Sequence, residues 1–274
     1  LKTSDFYYDL PKELIAQTPT AVRSASRLLT YHRDTRTIED GVFTDILDKL
    51  KPTDVLVRNN TRVIPARIIG VRKETGGSME FLLLRRMEDN DWECLCKPAK
   101  RAKRGLIYRV NDELSVEVLD DLPLDGGKRV RLLYDGIFEE VLDRAGQMPL
   151  PPYITERLED RERYQTVYSK TLGSAAAPTA GLHFTDELLD RIRAKGIPIV
   201  DILLHVGLGT FRPVSVENVE EHHMHSEHYE VTEEAAETIN RVRKAGGRIV
   251  CVGTTTTRTL ESVTDDSGVV HPGI

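Results

Sequence analysis

The sequence predicts an α/β (α+β) large domain interrupted by an inserted all-β, barrel-like domain. Three observations predict it. Between about residues 66 and 134 the chain alternates apolar and polar residues in short runs. Before and after that stretch, buried strand patterns alternate with helical ones. The two regimes are joined by Gln147 to Tyr153, QMPLPPY, whose prolines favour extended backbone. The expected division is residues 1–65 with 148–274 as the α/β domain and 66–147 as the insertion.

In chain order, Leu10 to Gln17 and Val42 to Leu50 read as short amphipathic helices around a strand at Leu28 to His32. Asp54 to Val57 reads as a buried strand. The insertion holds the runs IIGVR, MEFLLLRR, WECLCK, LIYRV, LSVEVL and RVRLLY. They are punctuated by Gly76-Gly77, Asp89-Asn90-Asp91, Asn111-Asp112 and Gly126-Gly127. Regularly spaced short strands with such turns predict a barrel or sandwich. After Tyr164 a helix is expected to about Leu172, then a helix from Asp186 to Lys195 with Thr185 as N-cap. The mostly apolar Ile197 to Leu204 follows as a buried strand, then a helix from Glu233 to Ala245 and a strand from Arg248 to Val252.

Composition bounds the function. With 39% hydrophobic and 30% charged residues, the 274-residue chain is ordinary for a soluble globular protein. No run approaches a membrane span and no signal peptide is evident, so a cytoplasmic protein is expected. Cys94, Cys96 and Cys251 lack zinc spacing and are odd in number, so reduced, structural thiols are expected. A net charge of −6 argues against a surface coated in nucleic acid. It leaves room for one basic footprint at Lys97, Lys100, Arg101, Lys103 and Arg104, readable either as a solvated loop or as an RNA contact.

Four segments carry candidate chemistry. Ala176 to Thr185, AAPTAGLHFT, places His183 on a small-residue loop before a helix, with Thr179 and Gly181 beside it. His205 to Val214, HVGLGTFRPV, leaves a strand end, where α/β domains bind ligands, and carries His205, Gly207, Gly209, Thr210 and Arg212. It is not a dinucleotide fingerprint: GxGxxG is absent and Pro213 blocks a helix. Met224 to Tyr229, MHSEHY, holds His225 and Glu227. Val252 to Ser262, VGTTTTRTLES, reads as strand, Thr-rich turn and helix start, with Thr254, Thr255 and Arg258 as ligand candidates. For Arg258 the alternative is an ion pair with Glu261. For His205 it is a strand-end histidine satisfied by the backbone.

Together these segments resemble the S-adenosylmethionine:tRNA ribosyltransferase-isomerases of queuosine biosynthesis. The likeness extends through SDFYYDLP (Ser4 to Pro11), Arg23 with Ser26-Arg27-Leu28-Leu29, NNTRVIPAR (Asn59 to Arg67) and KPAKR (Lys97 to Arg101), in the family's order. The chain departs from the family's pattern in three places. Asn60 stands where Asp is usual, and Thr256-Thr257 replaces Ser-Val before Arg258. Family members also continue beyond His271-Pro272-Gly273-Ile274 through a segment with an FHLPKS-like motif, so a chain shortened at that end is expected.

The resemblance implies the same two-domain plan, with a site in the larger domain near the boundary. Six of the eight histidines lie between His183 and His228, in that part of the chain. It implies transfer and isomerisation of the ribosyl group of S-adenosylmethionine, a co-substrate, with no other cofactor and no metal. The acceptor is the aminomethyl-deazaguanine (prequeuosine) base in the anticodon of tRNA. Epoxyqueuosine is formed, and adenine and methionine are released. His183 and His205 are then the acid–base candidates. Arg212 and Arg258 suit the methionine carboxylate, Thr254 and Thr255 ribose hydroxyls or a phosphate, and His225 and Glu227 adenine or the acceptor amine. A monomer acting on tRNA is expected. Two rival readings remain. One is a metal-dependent hydrolase on His222, His223, His225, Glu227 and His228, for which alternation on a strand would put His223, His225 and Glu227 on one face. The other is a non-catalytic RNA-binding protein using the β-rich insertion.

Overall fold

The α/β half is organised around a strand buried on both faces. The structure, a computed structural model, describes residues 1–123, 126–207, 214 and 216–274. Strand β3 (Val55–Asn59) is buried at every position, which is why Val55 to Val57 are apolar without alternation, while the buried Arg58 and Asn59 are polar. It pairs in parallel with β12 (Ile199–Leu204) on one side and β14 (Ile249–Cys251) on the other. Strand β13 (Tyr229–Glu230) is added antiparallel to β12, for a sheet order β13-β12-β3-β14.

Alternate residues of β3 serve opposite cores. Leu56 packs with Phe43, Leu47, Phe184, Leu188, Leu189 and Ile192, contributed largely by α1 (Ile46–Lys49) and α3 (Asp186–Ala194). Val55 and Val57 pack with Ala235, Ala236, Ile239 and Leu260 of α4 (Glu233–Lys244) and α5 (Gly253–Val263). Thr185 and Thr232 cap α3 and α4 through hydroxyls that accept from Leu188 N and Ala235 N. Fully burying a Leu- or Ile-sized side chain contributes about 1.5–3 kcal/mol. The carboxyl ends of the three parallel strands thus share one edge of a sheet with rigid layers on both faces.

The six alternating runs form a closed antiparallel barrel. Its strands are β5 (Arg67–Val71), β6 (Ser78–Arg86), β7 (Asp91–Lys97), β8 (Ile107–Arg109), β9 (Leu114–Asp121) and β10 (Gly127–Tyr134), ordered β10-β7-β6-β5-β8-β9. Inward residues Ile68, Met79, Phe81, Leu83, Val116 and Leu132 fill it. Cys94 and Cys96 lie inside as free thiols, as i, i+2 neighbours on one face of β7 must. Closure removes the exposed edges that an open sheet would present. Helix α2 (Phe138–Ala145) packs Val141 and Leu142 onto this core, and Arg67 pairs with Gln147 where the chain returns.

Three expectations fail. Leu10 to Gln17 is not an amphipathic helix. Only a 3-10 turn forms, Lys12–Leu14, with Leu10 and Leu14 exposed. A short helix with no buried face does not repay its nucleation. The helix expected from Tyr164 to Leu172 is absent. A 3-10 turn, Arg161–Tyr164, gives way to extended chain and β11 (Thr171–Ser174), parallel to β4 (Thr61–Val63). The buried Gln165 amide takes the place of a strand partner there. Its Oε1 accepts from Val63 N at 3.0 Å and its Nε2 donates to Val63 O at 2.8 Å. No Thr-rich turn precedes α5. Gly253, at φ +85°, makes the bend directly, and the threonines lie inside the helix. The strand expected at Leu28 to His32 forms as β1 (Arg27–His32) and pairs antiparallel with β2 (Thr37–Val42), a strand the sequence pattern does not predict. No helix among the described residues is long and apolar enough to cross a membrane.

Candidate active site

The strand ends position most of the candidates. Asn59, fully buried at the end of β3, donates from Nδ2 to Leu204 O at 2.9 Å. Its Oδ1 accepts from Leu204 N and Thr61 N, both at 3.1 Å. This amide locks β3 to the end of β12 and so fixes where His205 begins. Ser174 Oγ donates to Ala176 O at 2.7 Å and accepts from Val206 N at 3.0 Å, which ties the AAPTAG loop to the same strand end.

His205 is held on three sides. Its Nδ1 lies 2.8 Å from Thr61 Oγ1, its backbone N–H donates to His228 O, and the His228 ring stacks on it at 5.6 Å. Its Nε2 edge faces Gly173, where φ is +147° and an added Cβ would sit 2.7 Å from that nitrogen. Burial, with a smaller contribution from His228, lowers the pKa of His205 to about 4, so the ring is neutral at pH 7. Thr61 therefore meets the alternative of a satisfied strand-end histidine only in part, since the partner is a side-chain hydroxyl.

Next to it, Glu227 bridges two of the predicted segments. Its side chain is 6% exposed, its Oε1 accepts from Gly207 N at 2.7 Å, and its Oε2 accepts from Arg258 Nη1. Arg258 Nη2 donates to His225 O, and His225 Nε2 stands 3.7 Å from the same carboxylate. Arg258 thus pairs with Glu227 across the fold and not with Glu261 on its own helix. Residues 222–228 are not a strand, so the alternation that would align His223, His225 and Glu227 does not operate. Among the described residues no group of three His, Cys, Asp or Glu is placed to hold a metal ion.

His183 belongs to a second constellation. The 3-10 turn Thr179–His183 lines a cavity of about 870 Å³ with Arg23, Ser26, Thr20, Tyr164 and Arg163. His183 Nδ1 is 2.7 Å from Ser26 Oγ, and the ring lies 5.1 Å from that of Phe43. Burial lowers its pKa below the usual value. The positive charge of Arg23 acts in the same direction, and the Arg23 carbonyl opposes it. Thr179 is exposed at the cavity wall. Gly181 is buried, and a Cβ there would strike the Tyr168 hydroxyl, so this glycine is required by packing. His205 does not line this cavity. The two constellations meet at Gly253, whose Cβ position lies 3.2 Å from Ala180 in the His183 turn.

The threonines of α5 divide by role. Thr256, Thr257 and Thr259 turn their hydroxyls back to carbonyls one turn earlier, whereas the buried Thr255 Oγ1 has no partner among the described residues and Thr254 is exposed. Gly209, Thr210 and Arg212 lie outside the described residues. Lys97, Lys100, Arg101, Lys103 and Arg104 are all exposed on the barrel, following β7, and Arg104 pairs with Asp120 at 3.2 Å. Sequence reasoning missed Ser26, Asn59 and Thr61 as site residues. Each lies inside a quoted motif, but nothing local marks its partner.

Comparison with known proteins shows the family. A family model described as "Queuosine biosynthesis protein" matches residues 3–272. The S-adenosylmethionine:tRNA ribosyltransferase-isomerase of Caldanaerobacter subterraneus subsp. tengcongensis is 58% identical over 273 residues, covering 99% of this chain and 80% of that protein. The protein of the same name from Clostridioides difficile is 56% identical, covering 98% and 79%. A crystal structure of S-adenosylmethionine tRNA ribosyltransferase from Thermotoga maritima is 33% identical, covers 94% of this chain and 72% of that one, and has a TM-score of 0.44. With the family model matching residues 3–272 and relatives 56–58% identical over nearly the whole chain, the chain belongs to the queuosine biosynthesis family of S-adenosylmethionine:tRNA ribosyltransferase-isomerases.

Proposed function

We propose that this chain transfers the ribosyl group of S-adenosylmethionine to the aminomethyl group of prequeuosine in tRNA and isomerises it, forming epoxyqueuosine and releasing adenine and methionine. The observation that carries the assignment of roles is the state of the two histidines. Each is partly buried, anchored at Nδ1 by a hydroxyl, and depressed in pKa by desolvation. The reaction needs a base at the carbon next to the sulfonium, a proton for departing adenine, and donors for oxyanions on the opened sugar. A neutral imidazole accepts the first proton. The imidazolium so formed sits where charge is disfavoured and passes the proton on readily.

In this reading His183 and His205 are the acid–base pair, and Thr179 with the cavity beside His183 receives part of the co-substrate. The Arg258–Glu227–His225 cluster, with Gly207, Thr254 and Thr255, holds the polar groups of the substrates, joined by Gly209, Thr210 and Arg212 of the segment after β12, while Gly181 shapes the His183 turn by packing. Lys97, Lys100, Arg101, Lys103 and Arg104 dock the tRNA backbone through charge. The test is incubation of the chain with S-adenosylmethionine and prequeuosine-containing tRNA, following adenine. Adenine released in step with modified tRNA supports the proposal. Its absence, with folded protein and both substrates present, overturns it.

A further inference from the structure

Among the described residues His183 is the one imidazole lining the cavity of about 870 Å³, and its protonation pattern decides what it does there. Its Nδ1 is 2.7 Å from Ser26 Oγ, and the same oxygen is 3.2 Å from the carbonyl of Arg23. A hydroxyl has one proton and two lone pairs. A carbonyl only accepts, so the Ser26 proton goes to Arg23 O and a lone pair remains for the ring. Both contacts of Ser26 Oγ are satisfied at once only when it donates to Arg23 O and accepts from Nδ1. Among the described residues Nε2 makes no hydrogen bond.

We propose that Ser26 is a positioning residue that fixes His183 as the Nδ1–H tautomer and presents an unprotonated Nε2 to the cavity. The 3-10 turn Arg23–Ala25 is fastened to the His183 turn by the Arg23 guanidinium, which donates from Nη1 to Leu182 O at 3.1 Å and from Nη2 to Glu162 O at 2.7 Å. Phe43 lies against the imidazole and Phe184 meets Phe43 edge-on at 4.9 Å, which limits ring rotation. The arrangement follows the rule that a catalytic base is oriented by a third group. Its consequence for turnover rests on the function proposed above; the tautomer itself does not.

The experiment therefore has two arms. In the first, long-range ¹H–¹⁵N spectra are recorded on protein labelled at histidine nitrogens, with His183 assigned by its loss in His183→Gln. A protonated Nδ1 with a pyridine-like Nε2 is expected in the unaltered chain and in Ser26→Thr, and a mixed or reversed pattern in Ser26→Ala. A protonated Nε2 in the unaltered chain, or an unchanged pattern in Ser26→Ala, overturns the proposal. In the second arm Ser26→Ala lowers kcat for adenine release by about 10- to 100-fold, with KM for S-adenosylmethionine little changed, and Ser26→Thr recovers it. Equal kcat in Ser26→Ala and the unaltered chain overturns the positioning role. Inactivity of the unaltered chain would fall on the proposed function instead, leaving the spectra to decide the tautomer.

Discussion

Glu227 is the residue whose loss should propagate furthest through the candidate site. Its buried carboxylate accepts the Gly207 N–H at 2.7 Å and pairs with Arg258, so one side chain joins the segment after β12 to α5. Glu227→Ala strands the Gly207 donor, at about 1–3 kcal/mol. It also removes an ion pair whose arginine is 31% exposed, a loss of about 1 kcal/mol because water partly replaces the partner. The expected destabilisation is about 2–4 kcal/mol. Glu227→Gln keeps an acceptor for Gly207 and loses only the charge, for about 1 kcal/mol. Urea unfolding, read by circular dichroism, measures both, and a double-mutant cycle with Arg258→Ala should give a coupling of about 1–2 kcal/mol. The reasoning fails if Glu227→Ala unfolds at the same urea concentration as the unaltered chain, or if the two single changes simply add.

Three further outcomes are expected. Folded His205 stays neutral down to a pKa of about 4, whereas the unfolded residue titrates near 6.5. Acid thus protonates the unfolded state first, and stability falls between these values by about 1–2 kcal/mol after allowing for solvent at this partly exposed ring. His205→Gln should lose correspondingly less stability than the unaltered chain when denaturation is compared at pH 7 and about pH 4.5; equal losses would remove His205 from the acid response. Gly173→Ala should displace the His205 imidazole and cut adenine release with little change in S-adenosylmethionine binding, because its Cβ would fall 2.7 Å from Nε2; unaltered turnover would show that the ring edge is not used. Replacing Lys100, Arg101, Lys103 and Arg104 together by Ala should weaken tRNA binding and flatten its salt dependence by about one log–log unit per lost phosphate contact. Unchanged affinity at low salt would mark the stripe as solvated surface.

The sequence by itself determined the parts whose signal is local. The barrel strands are legible because a wall with one buried face must alternate, and their turns sit at Gly76-Gly77, Asn111-Asp112 and Gly126-Gly127. Helices α3 and α4 are legible because threonine caps and apolar spacing coincide. The motifs carrying His183 and His205 stood out because small residues cluster beside strand ends and helix starts. Tertiary structure decided what these residues touch. Ser26 and His183 are 157 positions apart, and Thr61 and His205 are 144 apart. Periodicity carries no information about partners brought together by packing a sheet between two helical layers. It also decided β11, since a short run such as Thr171–Ser174 becomes a strand only because β4 offers it a parallel partner. Likewise Arg258 reaches Glu227 and not the nearer Glu261 because the end of β12 and its Gly207 N–H hold that carboxylate in front of α5.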